Sequence, residues 1–342
     1  MKAKTQLLLN NKEKTVPILS FPSTQLLGIS VNELISPAEM QAKGMKASAD
    51  RCDIGASLNM MDLSVEAEAF GAKIRFYDEE IPTVEKGIID DIEDAANIVV
   101  PEVGTGRTAL YIEGVRKAKE IVTNLPVFCG VIGPFSLAGR LFDMTELMMS
   151  CYDSPDEVKT LLEKATAFIT EYLKAFKEAG ADGVILAEPA AGLLSPDLAE
   201  EFSMPYVKAI FDAVQSEDFI VCYHNCGNAA IDMVDEMVSL GADIYHLGNA
   251  IDLGKAIEGF PKDMVVMGNV DPVLFRTGTP EDIRKATLAV FEDCASFENF
   301  MISSGCDIPA ATPIENIDKF STASLVTRLT SDITRVQDAY QM

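Results

Sequence analysis

From Pro126 onward the chain repeats one pattern, a short and almost continuous apolar run followed by a stretch with helical signals. The runs are Val127–Ile132, Gly183–Ala187, Phe219–Tyr223, Ile244–Leu247, Met264–Met267 and Phe300–Ser303. A strand that is apolar at successive positions has no polar face to offer water. Parallel sheets sandwiched between helices satisfy that demand. Between the runs, Ser154-Pro155-Asp156-Glu157 carries a capping residue, a proline and two acids, and opens a helix that stops at Gly180. Ser195-Pro196-Asp197 and Thr279-Pro280-Glu281-Asp282 open two more. Two further strands are expected upstream, at Val16–Phe21 and about Cys52–Leu58, with a helix near Pro37–Ala49 between them. Eight strands alternating with helices predict an α/β fold, a (β/α)8 TIM barrel. Met61–Asn124 is then an insertion between strands 2 and 3, with a hairpin beginning at Lys73–Tyr77 and a helix near Arg107–Asn124. An open doubly wound sheet is the rival, but no Gly-x-Gly-x-x-Gly turn follows the first strand. With no linker, internal repeat or low-complexity segment, residues 1–342 read as a single domain.

Charge narrows the partners. Lys plus Arg is 28 and Asp plus Glu is 53, a formal net charge of −25. Such a surface repels phosphate backbones and anionic lipid, so neither nucleic acid nor a membrane is an expected partner. No apolar run approaches the roughly 20 residues of a membrane span, and Met1–Lys14 lacks the pattern of a secretory signal, so a cytoplasmic location is expected. The seven cysteines are odd in number and scattered, which suits thiols or metal ligands better than a disulfide framework.

In a barrel of this kind, chemistry gathers where strands end. The strongest pattern there is His224-x-Cys226 with Cys306. His224 and Cys226 are two positions apart at the end of one strand, so extended geometry turns both side chains to one face. Cys306 follows the last strand, across the mouth. An imidazole and two thiolates form a donor set that zinc takes well, and three protein ligands leave a fourth position open for substrate. The blander reading is three unrelated side chains, both cysteines acting as small hydrophobes. Bound zinc would hold a thiol as its thiolate, a nucleophile suited to attack on a methyl group, or would act as a Lewis acid on an ether or alcohol oxygen.

Carboxylates come next. Glu188 directly follows an apolar strand, where an acid must be paired, metal-bound or otherwise satisfied, and it is a candidate fourth zinc ligand. Asp62 is a candidate catalytic acid or orienting group; on a helix it would share a face with Glu66. His246, Asn228, Asn269 and Asp271 stand at strand ends and are candidates for substrate binding, the alternative being local capping and turn formation. No phosphate loop is present, since Gly104-Thr105-Gly106 is too short and lacks a Lys-Ser/Thr partner.

Several segments together resemble the uroporphyrinogen decarboxylase superfamily. They are Gly133-Pro134-Phe135-Ser136-Leu137-Ala138-Gly139, Asp62 with Glu68-Ala69-Phe70-Gly71, His224-Asn225-Cys226-Gly227-Asn228, Gly268-Asn269-Val270-Asp271-Pro272 and Ser304-Gly305-Cys306-Asp307-Ile308-Pro309. The resemblance implies the same barrel. Two branches compete within it. The decarboxylases carry an Arg-rich substrate loop near the N-terminus, whereas Ser20–Gly28 here has no Arg to meet a porphyrinogen's carboxylates. Asp62 does match their catalytic Asp. The zinc-dependent methyltransferases that work with corrinoid proteins carry a His-x-Cys…Cys signature, which His224, Cys226 and Cys306 match residue by residue. This branch implies a methyl group moved between a corrinoid (cobalamin) on a separate protein and a small molecule, either a thiol acceptor or a methyl ether or amine donor. No cobalamin-binding Asp-x-His-x-x-Gly segment is present in this chain.

Overall fold

The computed structural model describes residues 1–10 and 14–323. Its centre is a parallel sheet of seven strands, β1 (Ser57–Leu58), β4 (Val127–Ile132), β5 (Gly183–Ala187), β6 (Ile220–Asn225), β7 (Ile244–Leu247), β8 (Val265–Val270) and β9 (Phe300–Ser304), arranged in that order. Between β1 and β4 the chain adds an antiparallel hairpin, β2 (Lys73–Arg75) with β3 (Thr83–Lys86), and the helix Thr108–Ile121. The six downstream apolar runs all become strands, because each must be covered on both faces.

Two buried clusters reveal how the sheet curls. Alternate residues of each strand point to opposite sides. In β6, Val221 and Tyr223 face the helices and join the larger core. Ile220 and Cys222 face the other way and join a second cluster with Phe128, Ile185, Ile244, Val265, Met267 and Met301. Contributions from β4 to β9 thus meet on the concave side. The helix Ala3–Asn10 adds Leu8 and Leu9 to this inner cluster.

The first two expected strands are shorter than the sequence pattern suggests. Cys52–Leu58 yields only β1, preceded by the isolated bridge of Ile54 to Thr15. Val16–Phe21 is not a regular strand. Thr15 makes a parallel bridge to Ile54, and Val16 N–H donates to the Ile302 carbonyl at 3.3 Å. Pro17 then offers no N–H. Ile18 N–H donates to Ser304 Oγ, and Ser303 Oγ–H donates to the Val16 carbonyl, so side chains replace the ladder. The helical reading of Asp62 also needs correction. The helix there is Val65–Ala69, and Asp62 precedes it, accepting the Ser64 N–H at 3.0 Å.

Candidate active site

The period of two that builds the inner cluster also builds the site. Along β6 the concave face runs Ile220, Cys222, His224, passing from an apolar base to a polar rim. Register places His224 beside Ala187 of β5 and His246 of β7. Cys306 follows β9. The ligand atoms of His224, Cys226 and Cys306 lie within 4.8 Å of one another, and His224 Nε2 is 3.5 Å from Cys306 Sγ. Tetrahedral zinc would impose separations of about 3.6 Å for nitrogen to sulfur and about 3.8 Å for sulfur to sulfur. The donor set therefore fits such an ion in both chemistry and spacing. The two thiols are coupled. A hydrogen bond from Cys306 draws the Cys226 thiol down, while that bond and burial push Cys306 up.

Donor and acceptor accounting fixes the histidine protons. The Val16 carbonyl only accepts, so Ser303 Oγ–H must donate to it at 2.7 Å. Ser303 then accepts from His246 Nε2–H at 2.8 Å. His246 Nδ1 is left with a lone pair, 2.7 Å from His224 Nδ1, which must carry hydrogen. The His246 carbonyl, 3.1 Å from the same His224 nitrogen, gives the same answer independently. His224 Nε2 therefore presents its lone pair toward the cysteines. Burial, then the nearby His224, holds His246 well below its ordinary value, which keeps it neutral for this role. His246 is 0% exposed and lies behind His224 rather than on the cavity wall.

The cavity in front of the trio has a volume of about 260 Å3. Ala187, Pro189, Ile18, Met61 and Leu63 line it, with Ile81–Thr83 of the hairpin region on another side. Arg140, at the end of the helix Pro134–Leu141, and Asp307 are its charged-type neighbours beside the trio.

The other candidates lie off this wall. Glu188 is fully buried, and its carboxylate accepts Phe135 N–H at 3.0 Å and Ser136 N–H at 2.6 Å, at the start of the helix Pro134–Leu141. A side chain at Gly133 would collide with that carboxylate at 2.4 Å, so this packing requires glycine. Burial pushes Glu188 up to about 7, against the lowering effect of those bonds. Asp62 accepts from Arg107, from Tyr111 Oη–H at 2.9 Å and from Ser64 Oγ–H at 2.6 Å. Asn269 pins the loop after β7 by donating to the Gly248 and Ile251 carbonyls. Asp271 caps the helix Pro272–Thr277, and Asn228 is exposed.

Sequence reasoning missed Ser303, Arg140, Arg107 and Tyr111. Ser303 carried a faint signal, a hydroxyl at the end of an apolar run. Arg140 and Tyr111 sit on helices with ordinary patterns and Arg107 directly before one; only packing brings Arg140 to the cavity and the other two to Asp62.

Comparison with known proteins agrees with this architecture. The methylcobamide:CoM methyltransferase MtbA of Methanosarcina mazei is 30% identical over 292 residues, covering 84% of this chain and 84% of its own. A uroporphyrinogen decarboxylase of Desulfotalea psychrophila is 28% identical over 277 residues, covering 78% of each. A solved structure of a methyltransferase from Methanosarcina mazei superposes with a TM-score of 0.83, spanning 95% of this chain and 98% of its own at 24% identity, and so shares the fold. Methyltransferases and decarboxylases alike are thus similar to this chain, and the uroporphyrinogen decarboxylase (URO-D) family model matches residues 19–324, which places the chain in that family.

Proposed function

We propose that this chain is a zinc-dependent methyltransferase that moves a methyl group between a corrinoid carried on a separate protein and a small thiol. The observation that carries the reading is the His224, Cys226 and Cys306 trio, gathered within 4.8 Å at a cavity of about 260 Å3. Relatives named methylcobamide:CoM methyltransferases support the reaction class. Decarboxylation of a porphyrinogen is the less favoured reading. Its several carboxylates need several cations, and the described cavity wall carries one arginine. A volume near 260 Å3 also suits a ligand below ordinary drug size.

His224, Cys226 and Cys306 would hold the zinc. Bound zinc supplies Lewis acidity that keeps an acceptor thiol as its thiolate near neutral pH. His246 and Ser303 keep the His224 lone pair directed at the metal position. The apolar wall of Ile18, Met61 and Leu63 limits water around the nucleophile. Glu188 and Asp62 serve here by fixing the helix Pro134–Leu141 and the loop before Val65–Ala69, with Glu188 left out of the ligand set. Asn269 and Asp271 shape the loops at the mouth in the same way.

The extended segment at residues 15–20 acts, in this reading, as the eighth stave of a (β/α)8 barrel, with the hairpin as an insertion between staves two and three. The bridge from Thr15 to Ile54 and the Val16 bond to Ile302 support closure on both sides. Residues 1–342 then form one domain. Free cysteines throughout the described chain fit a reducing cytoplasm. No helix among the described residues is long and apolar enough to cross a membrane.

The test is metal content and methyl transfer. Purified protein should hold one zinc per chain, Cys226→Ala should lose it, and free methylcobalamin should lose its methyl to a thiol only with the zinc-loaded parent. Protein that transfers methyl equally well after complete zinc removal would overturn the reading.

A further inference from the structure

The seven cysteines fall into two unlike groups. Cys129, Cys222 and Cys294 are fully buried, and Cys52 and Cys151 nearly so. Cys226 and Cys306 are partly open, and both line the mouth cavity. They are also neighbours in space, although far apart in the chain. Their sulfurs share a hydrogen bond and lie, with a ring nitrogen of His224, within 4.8 Å of one another. Metal binding explains why two thiols meet here. It leaves open what the pair does when no metal holds it.

Two touching sulfurs that a small solute can reach have a second reaction available, with each other. Reactive cysteines are the accessible ones, and buried cysteines are inert. Cys226 follows β6 and Cys306 follows β9, so turning either side chain breaks no strand ladder. Both backbones are held, because Gly248 packs on the Cys226 Cα and Gly305 on Asn249. Closure therefore falls to side-chain rotation, from contact to a bond of about 2.05 Å. We propose that Cys226 and Cys306 form a reversible disulfide in the presence of a peroxide, and that this bond competes with zinc for the same two sulfurs. One thiolate attacks an oxygen of hydrogen peroxide. The O–O bond breaks, an S–O bond forms and hydroxide leaves. The second thiolate attacks that sulfur, the S–O bond breaks, the S–S bond forms and a second hydroxide leaves. The cysteines lose two electrons, the peroxide gains them, and the two thiol protons turn both hydroxides into water. A disulfide has no thiolate to offer a metal, so closure leaves His224 as the single member of the trio able to ligate, and the ion is released. Bound zinc in turn occupies both sulfurs and opposes closure. The effect on zinc rests on the reading of the trio as a metal centre, while the disulfide itself depends only on the two thiols and the cavity.

The test separates the two. Zinc-free and zinc-loaded parent are treated with hydrogen peroxide and unfolded, free thiols are alkylated, and the cysteines are mapped by mass spectrometry. A chromophoric chelator reads zinc release before unfolding. The zinc-free parent should lose two hydrogens and give a cross-link between the peptides of Cys226 and Cys306, with the other five cysteines alkylated. The zinc-loaded parent should close more slowly and release one zinc for each disulfide formed. Dithiothreitol followed by zinc should restore the full metal content. Cys52→Ser and Cys151→Ser should behave as the parent does, and Cys306→Ser should leave Cys226 as a sulfenic acid that dimedone labels. If both thiols stay free, if either is oxidised further without the cross-link, or if either pairs with another cysteine, the disulfide is wrong. Zinc that stays bound after the cross-link has formed would overturn the competition. If the cross-link forms in a protein that never takes up zinc, the disulfide stands and the metal reading falls.

Discussion

Ser303→Ala tests the proton accounting behind the trio. In the parent, Ser303 Oγ accepts the His246 Nε2–H at 2.8 Å while donating to Val16. Alanine removes that acceptor, and His246 is 0% exposed, so no solvent replaces it. Two responses are open. The Nε2–H stays, buried and unsatisfied, at a cost of about 1–3 kcal/mol. Otherwise the proton moves to Nδ1, which then meets the His224 Nδ1–H across 2.7 Å, donor against donor. His224 escapes that clash only by moving its own hydrogen to Nε2, which takes away the lone pair that a metal needs. Loss of a partner behind a metal-bound histidine typically weakens metal binding about 10–100-fold, or roughly 1.4–2.7 kcal/mol. Zinc affinity, read by competition with a chromophoric chelator, should fall by that amount. A second substitution should rescue it. His246→Asn puts a carbonyl oxygen near the Nδ1 position, an acceptor for His224 that needs no help from residue 303. The double variant Ser303→Ala/His246→Asn should therefore bind zinc more tightly than Ser303→Ala alone. Affinity within twofold of the parent in Ser303→Ala, or no rescue in the double variant, would refute the relay.

Two further outcomes follow from burial and packing. Burial pushes Glu66 up to about 7 from its ordinary 4.5, so the native state keeps a proton that the unfolded chain gives up. Its contribution is complete below about pH 4.5 and lost as pH rises to about 7, amounting to roughly 3 kcal/mol across that window. Glu66→Gln has no such titration, so the stability difference, variant minus parent, should rise in the variant's favour by about that amount between pH 4.5 and 8 in urea unfolding; a flat difference would sink the argument. At Gly248, an added Cβ would meet the Cys226 Cα at 2.5 Å and Cβ at 2.6 Å. Gly248→Ala should push Cys226 out of place and weaken zinc binding more than tenfold, and parental affinity would show that the loop yields without moving the thiol.

Much of this was legible in the chain. The strands β4 and β5 and the strand β7 coincide with their apolar runs, because a strand covered on both faces must be apolar at successive positions. His224 and Cys226 could be assigned to one face from their spacing alone. The N-terminal segment was harder to read, since Pro17 and the hydroxyls of Ser303 and Ser304 replace a regular ladder with bonds that only a folded chain supplies. Glu188 shows the same limit from another side. The sequence indicated that a carboxylate after an apolar strand needs partners, and the structure gives it the N–H groups of Phe135 and Ser136.

What the sequence determined by itself was periodic and local: alternating strands and helices, the strand ends, and the residue types that a metal prefers. Tertiary structure decided everything that depends on distance between segments far apart in the chain. It set the proton order from Val16 through Ser303 and His246 to His224, the clamp of Arg107 and Tyr111 on Asp62, and the place of Arg140 on the cavity wall. Strand register and sheet curvature bring those groups within hydrogen-bonding range or hold them just beyond it, and neither is written in the spacing of any one segment.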